Sequence, residues 1–195
     1  PGPDGGDLDQ WDPALLAEHV AGTPSDWPAL ARRPAAVTRE HDTETPILVN
    51  PAGYGHRNFA ALLVLTSAPG MVLAPHAYSL RAYTHQRRGA NLDFARGEAE
   101  FMPPDAARWM MGEFGVARWA PNAPRYLRRR VRALERAGAG WSVFRWDSGW
   151  RVYEDRENTF NPVYGADPDA VSPVMDAPLL TTLQDLWRRN QLRPQ

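Results

Sequence analysis

Apolar positions in this chain come in short dense runs separated by polar, proline-rich and glycine-rich stretches. "TPILVNP" and "GMVLAPHAYS" are two such runs, bounded by Pro or Gly, and both read as buried strands. Between them "NFAALLVLTS" has the apolar density of a helix packed on a sheet, and the order strand, helix, strand favours parallel pairing. The rhythm repeats downstream. "RWMMGEFGV" predicts a strand, and "NAPRYLRRRVRALERAG" predicts a helix with Asn122 as N-cap, Leu127, Val131 and Leu134 on one face, and Gly138 as the stop. Its arginines take the other face, so the run Arg128 to Arg130 reads as solvated. "GWSVFRW" is the next strand and "APLLTTLQDLWRRNQ" the closing helix.

Upstream, "SDWPALARRPAAVTREHD" begins as a helix capped by Ser25 or Asp26 with Pro28 in its first turn, and Pro34 is expected to kink or break it. "ALLAEHV" is either a strand or the start of a helix. Residues 1–10 form a flexible acidic lead-in, and 11–195 read as one domain. Strand centres near residues 48, 74, 111 and 143 recur about every thirty residues, the size of one strand-helix unit of a (β/α)8 barrel. Eight such units need roughly 250 residues. The expected fold class is therefore α/β, a partial (β/α)8 TIM barrel covering about the last four to five strand-helix units, too short to close and so incomplete; an open α/β sheet is the alternative.

Composition removes some partners. A net charge of -1 and a pI near 6.6 give no electrostatic basis for binding nucleic acid or an anionic membrane. With no cysteine there is neither a disulfide framework nor a thiolate-held metal, and His19, His41 and His56 have no ligand spacing. All 22 basic residues are arginine, a bias of a GC-rich genome more than a physical adaptation. No apolar stretch approaches the roughly 20 residues a membrane span requires. The first residues carry no signal pattern, and a start at Pro1 without Met reads as a fragment or processed product.

In parallel α/β proteins ligands bind at the C-terminal ends of the strands. The polar residues there are Asn50, His76 and Tyr78, Glu113, and Arg145 to Asp147. A carboxylate, a histidine, a tyrosine and tryptophans at successive strand ends suit a sugar, because aromatic faces match the CH surfaces of a pyranose and acids can act at its anomeric carbon.

The same residues carry a resemblance. "MGEFGVARWAPNAPRYLRRRVRALERAGAGWSVFRW" resembles the seventh and eighth strand units of glycoside hydrolase family 5, the cellulase-like retaining (β/α)8 glycosidases whose G-E-F-G motif bears the nucleophile. "PHAYSLRAYTHQ" is similar to that family's sixth-strand segment and "DTETPILVNPAGYG" to its fifth; together the likeness covers roughly residues 15 to 160. It implies Glu113 as nucleophile, Tyr78 as its hydrogen-bond partner, and His76 holding the carboxylates or the sugar. It also implies an aromatic floor under the sugar, taken as Trp146 with Phe144 and Trp141 as competitors. Trp119 would line an outer subsite. No cofactor is implied, the partner would be a carbohydrate, and the source a secreted or extracellular bacterial protein.

The family's acid/base glutamate sits in an N-E-P motif. Here the matching stretch "LLAEHVAG" keeps Glu18 but has Ala17 for the Asn and His19 for the Pro, and Glu18 reads equally as an outward helix acid. Two functions follow: a retaining β-glycosidase acting on a β-linked glucan or related glycoside, or an inactive barrel fragment with at most weak carbohydrate binding. In the second, uncovered barrel strands would favour self-association. Outside the motif context the bland readings are a solvated loop acid for Glu113, a structural histidine for His76, a loop-fixing role for His85 and core packing for most tryptophans.

Overall fold

The computed structural model describes residues 12–63, 70–78, 81–94, 108–145, 159–170 and 172–189. The lead-in 1–10, Trp11, Trp146 and Trp150 lie outside the described residues. The chain divides into two units, one from Pro1–Ala77 and Phe101–Glu113, the other from Tyr78–Glu100 and Phe114–Gln195.

In the first unit α1 (Pro13–Val20) starts at Asp12, whose carboxylate accepts the Ala14 and Leu15 amides. "ALLAEHV" is thus helix, and the strand alternative falls: a proline following a carboxylate cap opens a helix readily. α2 (Trp27–His41) is capped by Asp26, which accepts from the amides of Gly22 and Ala29; these bonds hold its carboxyl below the usual range. Pro34 neither ends nor divides α2. It lies on the exposed face, and its own carbonyl accepts the Thr38 hydroxyl at 2.9 Å.

Asp42 turns the chain out of α2 by accepting from Glu44 and Thr45, and hydrogen bonds from Thr45 bring its pKa down to about 2. Arg39 bonds the carbonyls of Asp42 and Thr45, tying helix to strand. β1 (Ile47–Val49) and β2 (Met71–Leu73) pair in parallel, Ile47 with Met71 through Val49 with Leu73. The next segment is also parallel to β2, with bridges Leu73 to Trp109 and His76 to Glu113; it runs into β3 (Met110–Phe114). Ala31 and Ala35 of α2 pack on Val49, Ala60, Leu63, Met71 and Leu73, with Ile47 and Trp109 at the margin. Small alanines let α2 approach the strands closely, and burying each large aliphatic side chain contributes about 2 kcal/mol.

In the second unit α3 (Ala123–Arg136) buries Tyr126, Leu127, Val131 and Leu134 and packs against α4 (Pro178–Arg188), which buries Leu179, Leu183 and Leu186. Two expectations are corrected. Arg130 is buried on the α3 apolar face, its guanidinium 5.9 Å from the Tyr126 ring centre, because its position in the helical repeat coincides with the core stripe. Asn122 holds the cap position but makes no side-chain capping bond: its backbone is left-handed, and its amide donates instead to Asp93 at 2.9 Å. Gly138, at φ 70°, ends the helix where a left-handed residue is needed. β4 (Gly140–Val143) follows, and the Phe144 amide then bonds the Phe114 carbonyl at 2.8 Å.

Candidate active site

The first unit brings His76 and Glu113 together. Both lie just beyond the C-terminal end of β2 or on β3, and the backbone fixes their register: Gly112 N–H donates to Pro75 O and Ala77 N–H to Glu113 O, each at 2.9 Å. Glu113 Oε2 is 3.7 Å from His76 Nδ1, and the two side chains are 27% and 20% exposed. That separation is long for a hydrogen bond and short enough for Coulombic attraction when the ring is protonated. A partly exposed carboxylate beside an imidazole can act as a nucleophile or a base, and the imidazole can donate to it or to a bound hydroxyl.

The glycines around Glu113 have a steric origin. A Cβ on Gly112 would stand 2.5 Å from the Ala74 carbonyl oxygen, and one on Gly115 would collide with the Phe144 carbonyl and come within 3.1 Å of the Phe160 ring. Only glycine permits those backbone approaches.

Behind His76, its amide donates to Gly55 O at 2.6 Å, and a Cβ on Gly55 would lie 2.7 Å from the His76 ring. Gly55 belongs to a turn, Ala52–Gly55, in which Gly53, Tyr54 and Gly55 all have positive φ. Sequence reading passed over this turn. Its signal was the pattern A-G-Y-G, glycines on both sides of an aromatic directly after a strand. Asn50 is exposed, and its carbonyl accepts the Trp27 indole N–H at 2.7 Å.

Glu18 sits exposed on α1, a helix, whereas the resemblance implied a strand end. The remaining candidates are in the second unit. Tyr78 packs edge-on against His85 (4.7 Å between centres) and Phe160 (5.8 Å). Burial, and secondarily the Arg81 charge, lowers the His85 pKa to about 4; its Nδ1 lies 3.0 Å from the Thr84 hydroxyl. Phe144 meets Phe160 edge-on at 5.6 Å, and its bond to Arg145 is cis. Trp141 stacks on Trp187 at 6.4 Å and 11° and meets Phe114 edge-on, so packing occupies its ring. Trp119 gives its indole N–H to Gln86 O and has the Arg118 and Arg88 guanidiniums 5.5 and 6.0 Å from its ring centre. Trp146 is outside the described residues. Among those residues there is no group of three or more His, Asp or Glu side chains placed to hold a metal.

The backbone arrangement is similar to solved cellulases. Pseudomonas stutzeri endoglucanase Cel5A in complex with cellobiose aligns with a TM-score of 0.58 at 16% identity, over 89% of this chain and 58% of that one. A mutant form of Thermotoga maritima Cel5A, with cellobiose, aligns at 0.53 and 23% identity, over 83% and 51%. The Clostridial cellulose synthase subunit Z of Clostridioides difficile aligns at 0.56 and 15%, over 88% and 56%. The chain has a cellulase-like α/β fold and spans little more than half the length of these solved proteins. No protein-family model and no curated protein sequence matches it.

Proposed function

We propose that the chain is a partial (β/α)8 barrel of the family 5 type, with residues 11–195 as its glycosidase domain, and that it cleaves a β-linked glucan or related glycoside with retention. The observation that carries this reading is the His76–Glu113 pair, 3.7 Å apart at parallel strand ends of a cellulase-like fold. Glu113 attacks the anomeric carbon, the bond to the leaving oxygen breaks as an acid protonates it, and water then displaces Glu113 to free the sugar. His76 orients the carboxylate; Tyr78, Phe144 and Trp146 are the aromatic residues that the family likeness implies for sugar binding. Glu18 is the proposed acid/base. No cofactor is needed, and a polymeric substrate would place the enzyme outside a bacterial cell.

The experiment is mass spectrometry after incubation with 2-deoxy-2-fluoro β-glycosyl fluorides. Fluoride departs without protonation, so the test isolates Glu113 from Glu18. Labelling at Glu113 is expected, lost in Glu113→Gln, with turnover of an aryl β-glycoside down roughly 10³-fold or more in that variant. A folded protein that takes no label with any sugar sinks the reading. The position of Glu18 on an exposed helix, with Ala17 and His19 beside it, favours a second reading in that case: an inactive fragment that at most binds carbohydrate.

A further inference from the structure

Rings of the second unit gather in two clusters, and they differ in burial. Tyr83, Phe94 and Tyr126 meet one another at 5.4 to 5.7 Å and are all buried. Tyr78, His85, Phe144 and Phe160 are each partly exposed. Loss of apolar surface from water explains the first cluster. It explains less of the second, whose rings keep part of their area in solvent.

Phe160 is the hub of that second cluster. Its ring centre lies 5.8 Å from Tyr78, 5.0 Å from His85 and 5.6 Å from Phe144, edge-on in every pair, and His85 also meets Tyr78 edge-on. The backbone is anchored on both sides of it. Thr159 O accepts the Arg118 amide at 2.8 Å, and the buried Asn161 side chain accepts the Val163 amide at 2.9 Å. Gly115, directly after β3, leaves room for the ring, since a Cβ there would stand 3.1 Å from it. A ring fixed in this way fixes its neighbours, because edge-to-face packing selects one orientation of each partner.

We propose that Phe160 is a positioning residue: its ring sets the orientation of the Tyr78 phenol, and so the geometry in which that phenol serves the reaction. Phe160 acts through Tyr78 and not on the sugar. The proposal rests on the glycosidase reading for what Tyr78 does, and it adds a residue which that reading does not employ.

The test compares Phe160→Leu, which keeps an apolar side chain but loses the ring edge, with Phe160→Tyr, which keeps the ring. In NMR spectra of the tyrosine-labelled chain, with Tyr78 assigned by Tyr78→Phe, Phe160→Leu should move the Tyr78 ring resonances toward those of an exposed tyrosine. Phe160→Tyr should leave them close to the parent's. With 2-deoxy-2-fluoro β-glycosyl fluorides, Phe160→Leu should lower the maximal rate of Glu113 labelling roughly tenfold, keep the half-saturating concentration within about threefold, and be rescued by Phe160→Tyr. A purely structural role would lower the melting temperature and change neither reading below the melt. Unmoved Tyr78 resonances in Phe160→Leu overturn the inference, and so does labelling at the parent's rate. If the parent takes no label, the glycosidase reading falls; resonances that still answer to Phe160→Leu then leave Phe160 as the residue that orients Tyr78.

Discussion

Burial keeps the imidazole of His85 neutral, and the Arg81 charge adds a smaller push in the same direction, lowering its pKa from 6.5 to about 4. Between those values the unfolded chain binds a proton that the folded chain refuses, so stability rises with pH across that window. The contribution is complete above about pH 6.5 and is lost as pH falls through 4. Thermal melts at pH 7.5 and 4.5 should show a drop that His85→Gln reduces; an equal drop in both proteins would mean the histidine is not the sensor. Legibility at this scale was uneven. Glu113 and His76 stood out because a motif and a strand end marked them, and their pairing follows from parallel register. Arg118 did not stand out. It is buried, and its guanidinium donates to the carbonyls of Tyr164, Gly165, Asp167, Pro168 and Ala170, a loop-organising role that no spacing in the sequence announces.

Pro34 shows what an element tolerates when its neighbours allow it. A helix-interior proline costs about 3 kcal/mol in an ordinary host because it removes a hydrogen bond and crowds the preceding turn. Exposed on α2, its neighbouring carbonyl can turn to water, so Pro34→Ala should stabilise the protein by about 1–3 kcal/mol in urea denaturation. No gain would mean that a bend at this position suits the fold. Strands and helices with dense apolar runs were readable from pattern alone: β1, β2, β3, β4, α3 and α4 all lie within the segments expected. The elements left open or misread were those whose character depends on tertiary context. "ALLAEHV" is too short for periodicity to separate helix from strand, and Arg130 follows its helix face into the core although its residue type points to solvent. "NFAALLVLTS" begins with a tight 3-10 segment, Arg57–Leu62, where a regular helix was expected.

For the whole molecule, the solved structures it resembles are nearly twice as long as the part this chain matches. Among the described residues β1 pairs only with β2, and Leu48 at its centre is 53% exposed. An uncovered apolar strand edge invites pairing with another copy. Sedimentation equilibrium of the chain should give a dimer or larger species, and Leu48→Glu should shift it toward monomer; a monomer at high concentration would show that the edge is protected. The alternation of strand and helix was legible because dense apolar runs mark it locally, whereas closure of a sheet depends on residues a local pattern does not contain. The two glycines that flank Glu113 carry a last consequence. Each is required by a neighbouring carbonyl, whatever the carboxylate does. A descendant in which this carboxylate had lost any role would still be selected to keep both, for folding alone, and would pass on the shape of the main chain without its chemistry.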